Sequence, residues 1–179
     1  MGKKDKLIKI AITGPESTGK SLLAQELADH YRTVCVPEFA RVYLLKLDGE
    51  YTQNDILEIA KGQKATEDVI AGLAKKVLFA DTELLVTKIW SDFKYGKCDP
   101  WIEEAFRKQH YDLYLLMDVD IPWQYDPMRE NPEQRKELFD LYRSELDQAG
   151  FKYSIVSGLD EERLNNAIRI INDTFKPLF

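Results

Sequence analysis

GPESTGKS, residues 14–21, is the stretch that decides the fold. An apolar run, Leu7 to Ile12, precedes it, and an amphipathic run, Leu22 to Tyr31, follows it. A strand, a glycine-framed loop and a helix in that order form the context that a phosphate-binding P-loop requires. Glycine has no β-carbon, so the backbone can turn tightly and approach a phosphate closely. The stretch therefore predicts a binding site for a nucleoside triphosphate.

Each part of this loop has an expected role in binding the nucleotide. Its backbone N–H groups would form a nest for an anion, and the following helix would add the positive end of its dipole. Lys20 would reach the β- and γ-phosphates of ATP, and the Ser21 hydroxyl would bind Mg²⁺. We expect every residue of the loop to contact the nucleotide, namely Gly14, Pro15, Glu16, Ser17, Thr18, Gly19, Lys20 and Ser21.

Length and composition narrow the class of protein. A chain of 179 residues suits one domain with a buried core, and 44% hydrophobic with 31% charged residues is an ordinary globular composition. The net charge of −6 disfavours a dedicated nucleic-acid binder, which normally carries a basic surface. We therefore expect a single domain over residues 1–179 with no nucleic-acid partner.

The sequence gives no sign of export or of a membrane. Lys9 interrupts the apolar start, so no signal peptide is predicted, and no stretch approaches the length of a membrane-spanning helix. Cys35 and Cys98 lie far apart and are expected to be reduced thiols. His30 and His110 have no partners at metal-ligand spacing. The protein is expected to be cytoplasmic.

Charged residues follow the predicted second strand, 33–36. The run Glu38-Phe39-Ala40-Arg41 comes just after it. Because the carboxyl ends of parallel strands face the ligand crevice, Glu38 and Arg41 are candidate substrate contacts. The alternative is a solvated ion pair between the two, since isolated charge pairs are common on protein surfaces.

Two aspartates compete for the place of the metal-binding acid. The apolar run 77–80 ends in Asp81, followed by Thr82, and this is the form of a Walker B strand. Asp118 ends a similar run, 113–117. Asp81 is preferred because, in nucleotide kinases of the P-loop class, the strand after the second helix lies beside the P-loop strand. Either acid could instead cap its strand end.

The segment after Met117 differs from the rest of the chain. Prolines occur at positions 122, 127 and 132, and Arg129 and Arg135 lie near its end. We expect a lid over about residues 120–148 whose arginines stabilise the charge of the transition state. The alternative is a polar connector with exposed arginines. The lid is favoured because an enclosed phosphate site must exclude water.

Periodicity predicts the remaining elements. Gly62 interrupts the longest helix, either for close packing or for ligand approach, and Thr52 or Asn54 could cap it. Asp160 is the expected N-cap of the last helix. The predicted strands are 7–13, 33–36, 77–80, 111–117 and 153–156, and the predicted helices are 21–31, 54–76, 84–95, 101–108, 134–148 and 160–175.

From about Lys6 to Phe175 the chain resembles the ribosylnicotinamide kinase domain of the bacterial NadR family. The stretches that carry the resemblance are GPESTGKS at 14–21, Glu38 to Arg41, Gly62-Gln63, FADTELLVT at 79–87, WQYDPMR at 123–129 and Gln134-Arg135. The resemblance implies an α/β, three-layer P-loop nucleoside triphosphate hydrolase fold. It implies five parallel strands in the order 2-3-1-4-5, with helices on both faces and a lid.

The resemblance also implies an activity, which is phosphoryl transfer from Mg·ATP to the 5′-hydroxyl of nicotinamide riboside. Carried onto this sequence, the catalytic residues are Lys20, Asp81 and Arg129, the metal ligands are Ser21 and Asp81, and Arg135 joins the loop in binding ATP. The implied substrate contacts are Glu38, Arg41, Gln63, Asp81, Thr82 and Trp123.

Two features depart from the family pattern. Where the family has a tryptophan that stacks on the pyridine ring, this chain has Pro37, and Phe39, Tyr43 or Trp90 could supply a face instead. Bifunctional members carry a DNA-binding region and an adenylyltransferase domain before the kinase domain. The 179 residues contain neither, so we expect no repressor or adenylyltransferase activity from them.

Other functions of P-loop proteins fit the sequence less well. The main alternative is a regulatory switch or ATPase whose only acceptor is water, and the lid arginines with Asp81 favour the kinase over it. A motor of the AAA type would need an additional helical subdomain, for which the chain is too short. A GTPase would need an Asn-Lys-x-Asp stretch, which the sequence lacks.

Overall fold

A computed structural model describes residues 6–47 and 49–176. Five parallel strands form one sheet in the order β2-β3-β1-β4-β5. The strands are β1 (Ile8–Thr13), β2 (Val34–Val36), β3 (Val77–Asp81), β4 (Leu113–Met117) and β5 (Tyr153–Val156). The predicted strand order and the α/β class are confirmed.

Helices cover both faces of this sheet. They are α1 (Lys20–His30), α2 (Phe39–Lys46), α3 (Gln53–Ala71), α4 (Leu84–Tyr95), α5 (Pro100–Lys108), α6 (Arg135–Ala149) and α7 (Asp160–Thr174). Successive side chains of a strand point to opposite faces. Accordingly, Ile10 and Ile12 of β1 pack in one core with α1 and α7, whereas Ala11 packs in a second core with α3 to α6.

The central strand β1 places the P-loop at the middle of the sheet edge. β3 and β4 flank it, with Ile12 opposite Asp81 and Thr13 opposite Leu116. Both faces of β1 are covered, which explains why its sequence is a nearly continuous apolar run rather than an alternating one. The loops that follow β1, β3 and β4 therefore meet at one edge.

The prediction missed helix α2. No helix was predicted between the second strand and the helix 54–76, but Phe39–Lys46 is helical and Glu38 is its N-cap residue. The last helix also differs, because its N-cap residue is Leu159 rather than Asp160. Of the two candidates for the cap of α3, Thr52 occupies the position and forms a reciprocal capping box with Asp55.

The position of Gly62 in α3 is explained by packing. A β-carbon at this residue would lie 2.1 Å from a ring carbon of Phe39, far inside van der Waals contact. Glycine is therefore required for α2 to lie against α3. Of the two reasons considered for this glycine, close packing rather than ligand approach accounts for it.

None of the helices within residues 6–47 and 49–176 combines the length and the apolar character needed to cross a membrane. Residues 1–5, which belong to the stretch where the sequence predicts no signal peptide, lie outside the described part of the chain.

Candidate active site

The P-loop connects β1 to α1 in a conformation that two glycines permit. Gly14 has φ 133° and Gly19 has φ 79°, both in the left-handed region. At Gly14 a β-carbon would also lie 3.1 Å from the carbonyl oxygen of Met117 on β4. Gly19 is the N-cap of α1 and contributes no side-chain cap. The first N–H groups of α1 are therefore available to an anion at this place.

Lys20 lies folded against its own loop. Its Nζ donates hydrogen bonds to the carbonyl oxygens of Gly14 (2.9 Å) and Pro15 (2.6 Å). Burial lowers the pKa of Lys20, and the nearby carboxylates of Glu38 and Asp81 oppose that shift. The side chain thus concentrates positive charge where the phosphates of a nucleotide would lie.

Asp81 ends β3 directly beside the P-loop strand, as the sequence argument required. Asp81 is 5% exposed, and its Oδ1 atom has no hydrogen-bond partner among the described residues. Burial raises the pKa of Asp81 to about 6, while the Ser21 hydroxyl partly offsets the shift. A buried carboxylate oxygen without a partner is costly unless a ligand or ion satisfies it.

These two side chains fit a magnesium ion. Mg²⁺ takes oxygen ligands and usually keeps one or two protein carboxylates together with water and phosphate oxygens. The unpaired oxygen of Asp81 and the hydroxyl of Ser21 meet that description. No cluster of three or more His, Cys, Asp or Glu residues suited to a metal occurs in the described chain, so phosphate and water would complete the coordination.

Asp118, the rival acid, lies on the other side of β1. It follows β4, and its Oδ1 accepts a hydrogen bond from the backbone N–H of Val119 (2.8 Å). Its geometry is that of a side chain that caps its own strand end.

The lid was predicted over about residues 120–148, of which the part from Arg135 onward is helix α6. The connecting segment before this helix, residues 118–134, crosses over the P-loop, and we call this segment the lid. Ser17 Oγ accepts hydrogen bonds from the Gln124 backbone N–H (2.8 Å) and from Arg129 Nη1 (3.4 Å). Arg129 Nη1 also donates to the Gln124 carbonyl (2.6 Å). Arg135 Nη1 donates to the carbonyl oxygens of Ser17 (3.0 Å) and Ile121 (2.9 Å). Both arginines proposed for the lid therefore lie against the phosphate loop.

Two acidic side chains connect the lid to its neighbours, one to the P-loop and one to α2. Glu16 of the P-loop accepts hydrogen bonds from the backbone N–H groups of Glu130 (3.1 Å) and Asn131 (3.0 Å). Arg41 of α2 forms an ion pair with Asp126 of the lid at 2.7 Å. The partner of Arg41 is therefore this lid aspartate, and the sequence alternative of an ion pair with Glu38 is not the one formed.

A cavity of about 810 Å³ lies under the lid. All eight residues of the P-loop line it. One end is bounded by the start of α7 and the loop before it, through Leu159, Asp160 and Arg163. The other end is bounded by α2, α4 and α6, and we call this end the acceptor wall; its members include Leu44, Val86, Ile89, Trp90, Phe93 and Tyr142.

Some predicted site residues lie on the cavity surface and others lie behind it. Besides the P-loop, Glu38, Arg41 and Arg129 line the cavity. Gln63 is 3% exposed. Its amide oxygen accepts a hydrogen bond from the Phe39 N–H (2.8 Å), and its amide nitrogen donates to the Thr82 carbonyl (3.4 Å). The side chain therefore connects the end of β3 to the start of α2. The predicted contacts that do not line the cavity are Gln63, Asp81, Thr82, Trp123 and Arg135.

Trp123 and the other aromatic candidates have separate environments. The Trp123 ring lies 5.8 Å from the guanidinium carbon of Arg135 rather than in the cavity. Phe39 packs against Gly62, and the Tyr43 hydroxyl donates to Asp55 (2.7 Å). Among the three residues considered as substitutes for the missing tryptophan, Trp90 alone lines the cavity.

Arg163 was not predicted from the sequence. This arginine of α7 is 5% exposed and donates to the Thr18 carbonyl of the P-loop (3.3 Å), to the Gly158 carbonyl (2.8 Å) and to Asp120. It therefore joins the P-loop to the loop before α7 and to the beginning of the lid. Its sequence neighbourhood, an acidic helix start, carries no signal that would distinguish it from a surface arginine.

Comparison with known proteins agrees with the sequence motifs. A family model described as an AAA domain matches residues 9–163. The trifunctional NAD biosynthesis/regulator protein NadR of Escherichia coli (strain K12) is 27% identical over 171 residues. That match covers 92% of this chain and 42% of the E. coli protein, so the chain spans less than half the length of this relative. The resemblance to NadR is confirmed.

Solved structures share the fold. A crystal structure of NadR protein in complex with NR has a TM-score of 0.78 at 22% identity, over 96% of this chain and 51% of that one. A structure of deoxyadenosine kinase from M. mycoides, with products dcmp and a flexible dcdp bound, has a TM-score of 0.67 at 15% identity, over 93% and 100%. The fold is therefore that of P-loop kinases.

Proposed function

The chain belongs to the AAA domain family, and from that premise we propose that it is a kinase that phosphorylates a small nucleoside, with nicotinamide riboside as the acceptor. Membership of this family accounts for the phosphate-binding loop, and the cavity supports phosphoryl transfer to a nucleoside. NadR supplies the acceptor by analogy, because a NadR protein has been crystallised with NR.

One observation carries the proposal: a single cavity joins the P-loop to the acceptor wall. A nucleotide switch needs room for a nucleotide and a water molecule. Here the space of about 810 Å³ extends past the P-loop to Trp90 and Phe93 of α4 and to Glu38 at the start of α2. The apolar, aromatic surface suits the base of a nucleoside, and the Glu38 carboxylate beside it suits the ribose hydroxyls.

The reaction divides among the residues at the P-loop. The 5′-hydroxyl oxygen of the acceptor attacks the γ-phosphorus of ATP, the bond from that phosphorus to the β–γ bridging oxygen breaks, and ADP leaves. Lys20 and Arg129 meet the negative charge on the transferred group. Asp81, whose pKa is raised to about 6 but which is mainly ionised at neutral pH, receives the proton of the attacking hydroxyl.

Ser21 and Asp81 would hold Mg²⁺, which when bound neutralises charge on the β- and γ-phosphate oxygens. Glu38 lies at the carboxyl end of β2, where its carboxylate can accept hydrogen bonds from ribose hydroxyls. Trp90 offers the aromatic face that Pro37 does not provide. Loss of one stack costs about 0.5–1.5 kcal/mol beyond area burial, so base discrimination weakens while the chemistry persists.

The decisive experiment is a coupled ADP-release assay with Mg·ATP and five nucleosides: nicotinamide riboside, nicotinic acid riboside, uridine, cytidine and adenosine. We expect a pyridine riboside to give the highest kcat/KM. Lys20→Ala should abolish turnover, because its ammonium group bonds two carbonyls of the phosphate loop and would contact the phosphates when ATP is bound. The matched control is Lys136→Ala, which removes an exposed lysine of α6.

Two outcomes would contradict the proposal. A much higher kcat/KM for a purine or pyrimidine nucleoside would retain the kinase and reject the pyridine acceptor. ATP hydrolysis that no nucleoside accelerates would favour the switch or ATPase.

A further inference from the structure

Four side chains form a hydrogen-bonded cluster where the lid meets the acceptor wall. The Tyr51 hydroxyl donates to Glu130 Oε2 at 2.5 Å and accepts from Trp90 Nε1 at 2.9 Å. Lys94 Nζ donates to Glu130 Oε1 at 2.9 Å and to the Tyr51 hydroxyl at 2.5 Å, and it lies 3.9 Å from the centre of the Tyr51 ring. Tyr51 also meets Trp90 edge to face, with ring centroids 4.9 Å apart.

Glu130 is held from two sides. Its carboxylate reaches Tyr51 and Lys94, whereas its backbone N–H donates to Glu16 of the P-loop. A continuous path of hydrogen bonds therefore runs from the P-loop through one lid residue to the acceptor wall. Glu16, Trp90, Lys94 and Glu130 all line the cavity.

We propose that Glu130 is a positioning residue that fixes Arg129 over the P-loop by linking the lid to Tyr51 and Lys94. The proposal rests on the kinase function for its kinetic test but not for its structural one. Arg129 is the residue immediately before Glu130, and its guanidinium lies 3.4 Å from Ser17 Oγ. Because the two residues are adjacent, anchoring Glu130 restricts the backbone of Arg129. The anchor therefore determines where the Arg129 guanidinium can lie.

The exposure of this cluster limits the size of the effect. The side chains of Lys94 and Glu130 are 36% and 40% exposed, so their ion pair alone is weak. The strength comes from the convergence of two donors on one carboxylate, with Tyr51 itself oriented by Trp90. Neutral and charge-assisted hydrogen bonds of this kind change an equilibrium by about threefold to tenfold.

The kinetic test uses variants that each remove one functional group of this cluster. Tyr51→Phe keeps the ring against Trp90 and removes the hydroxyl, together with its hydrogen bonds to Glu130, Trp90 and Lys94. We expect it to lower kcat about threefold to tenfold with the KM for ATP nearly unchanged, because Arg129 acts mainly in the transition state. Glu130→Ala should match it, and the double variant should be no worse than Glu130→Ala, since both changes break the same contact. Glu130→Gln, which retains an oxygen for the Tyr51 hydroxyl, should recover most of the rate.

Controls separate this role from general loss of charge or hydroxyl groups. Glu133→Ala removes an exposed carboxylate three residues further along the chain, for which no partner exists among the described residues. Tyr153→Phe removes a hydroxyl that bonds the exposed Asp147 at the edge of the sheet (3.0 Å). Both should leave kcat unchanged.

A second measurement needs no substrate. Trypsin cleaves after arginine, so the rate of cleavage between Arg129 and Glu130, followed by mass spectrometry of native protein, reports how often this part of the lid detaches. Tyr51→Phe and Lys94→Met should speed this cleavage about threefold to tenfold. Both leave the scissile bond and its flanking residues intact, and Tyr153→Phe should have no effect.

Each of the two measurements has a result that would overturn the role proposed for Glu130. Equal cleavage rates in Tyr51→Phe and the unsubstituted protein would overturn the proposal, as would additive losses of kcat in the double variant. If no pyridine riboside is phosphorylated, the proposed function fails, and the cleavage rates still decide whether Glu130 anchors the lid.

Discussion

At the scale of single residues, Asp81 is the side chain whose state should govern the pH dependence of catalysis. Its pKa of about 6 arises mainly from burial, and a proton acceptor must be ionised to work. We expect kcat/KM for Mg·ATP, which reports the enzyme before nucleotide and metal bind, to rise with pH through about 6 and then to level off. Asp81→Asn should lower kcat by about a hundredfold or more and remove this limb of the pH profile.

The comparison variant for this prediction is Asp118→Asn. Its carboxylate accepts a hydrogen bond from the next residue of its own loop, so its loss should change kcat little. A severe loss in Asp118→Asn together with a mild one in Asp81→Asn would mean that the wrong strand was chosen.

For Arg129 we expect an effect on kcat rather than on nucleotide affinity. Its guanidinium contacts Ser17 and the Gln124 carbonyl, beside the place of the transferred phosphoryl group. Arg129→Ala should lower kcat strongly and leave the affinity for a non-hydrolysable ATP analogue nearly unchanged, because charge develops mainly in the transition state. Arg143→Ala, an exposed arginine of α6, is the control. A raised KM for ATP with unchanged kcat would instead assign Arg129 to ground-state binding.

The sequence predicted some residues of the site better than others, for a physical reason. Lys20 and Ser21 belong to a local motif in which eight consecutive residues build the loop, so their places follow from order alone. The contacts of Arg163, Tyr51 and Glu130 depend on residues far along the chain, 145 positions away for Arg163 and Thr18. No local sequence pattern indicates such long-range contacts.

At the scale of elements, the packing of α2 on α3 depends on the absence of one methyl group. A β-carbon at Gly62 would meet the Phe39 ring at 2.1 Å, so Gly62→Ala must displace that ring and with it the start of α2. We expect a loss of about 1–3 kcal/mol in the free energy of unfolding, the usual cost of overpacking. Because Glu38 is the N-cap of α2, the KM for the nucleoside should also rise.

Gly72→Ala supplies the control for this helix. Its backbone is in the right-handed region, and a β-carbon there would meet no atom closer than 3.4 Å. Chemical denaturation should therefore find this variant as stable as the parent or slightly more so. Equal stabilities for Gly62→Ala and Gly72→Ala would show that the Phe39 contact is not tight in solution.

The same pair of elements explains a failure of prediction. The sequence predicted β2 and the long helix α3 but no helix between them. α2 contains only eight residues, and none of them is fully buried. Its place depends on Phe39 meeting Gly62, and the two lie in different elements. The glycine was noticed from the sequence, but its partner could not be.

At the scale of the whole molecule, a buried acid links stability to pH. Glu83 is 1% exposed and caps α4, and it accepts hydrogen bonds from Thr13 (2.9 Å), Leu85 (2.7 Å) and Gln109 (2.7 Å). Burial raises its pKa from 4.5 to about 7. The folded state therefore holds this proton more tightly than the unfolded state. The resulting stabilisation is present below pH 4.5 and is lost as the pH rises through about 7.

Glu83→Gln isolates this effect, because glutamine has a similar shape and does not ionise. The free energy of unfolding of the variant minus that of the parent should increase by about 3 kcal/mol between pH 4 and pH 8. Denaturation curves at several pH values measure it. The control is Glu133→Gln, an exposed site whose difference should stay flat. A flat difference for Glu83→Gln as well would mean that Glu83 ionises normally in the folded protein.

The central place of β1 has a consequence for how a cell makes this protein. β1 is the first of the five strands to leave the ribosome, yet its neighbours begin at Val77 and Leu113. Parallel pairings between distant segments form slowly because a long loop must close first. We therefore expect the phosphate loop to take its folded form on the nascent chain only after β3 has emerged. During synthesis, nucleotide can assist folding only in its later stages.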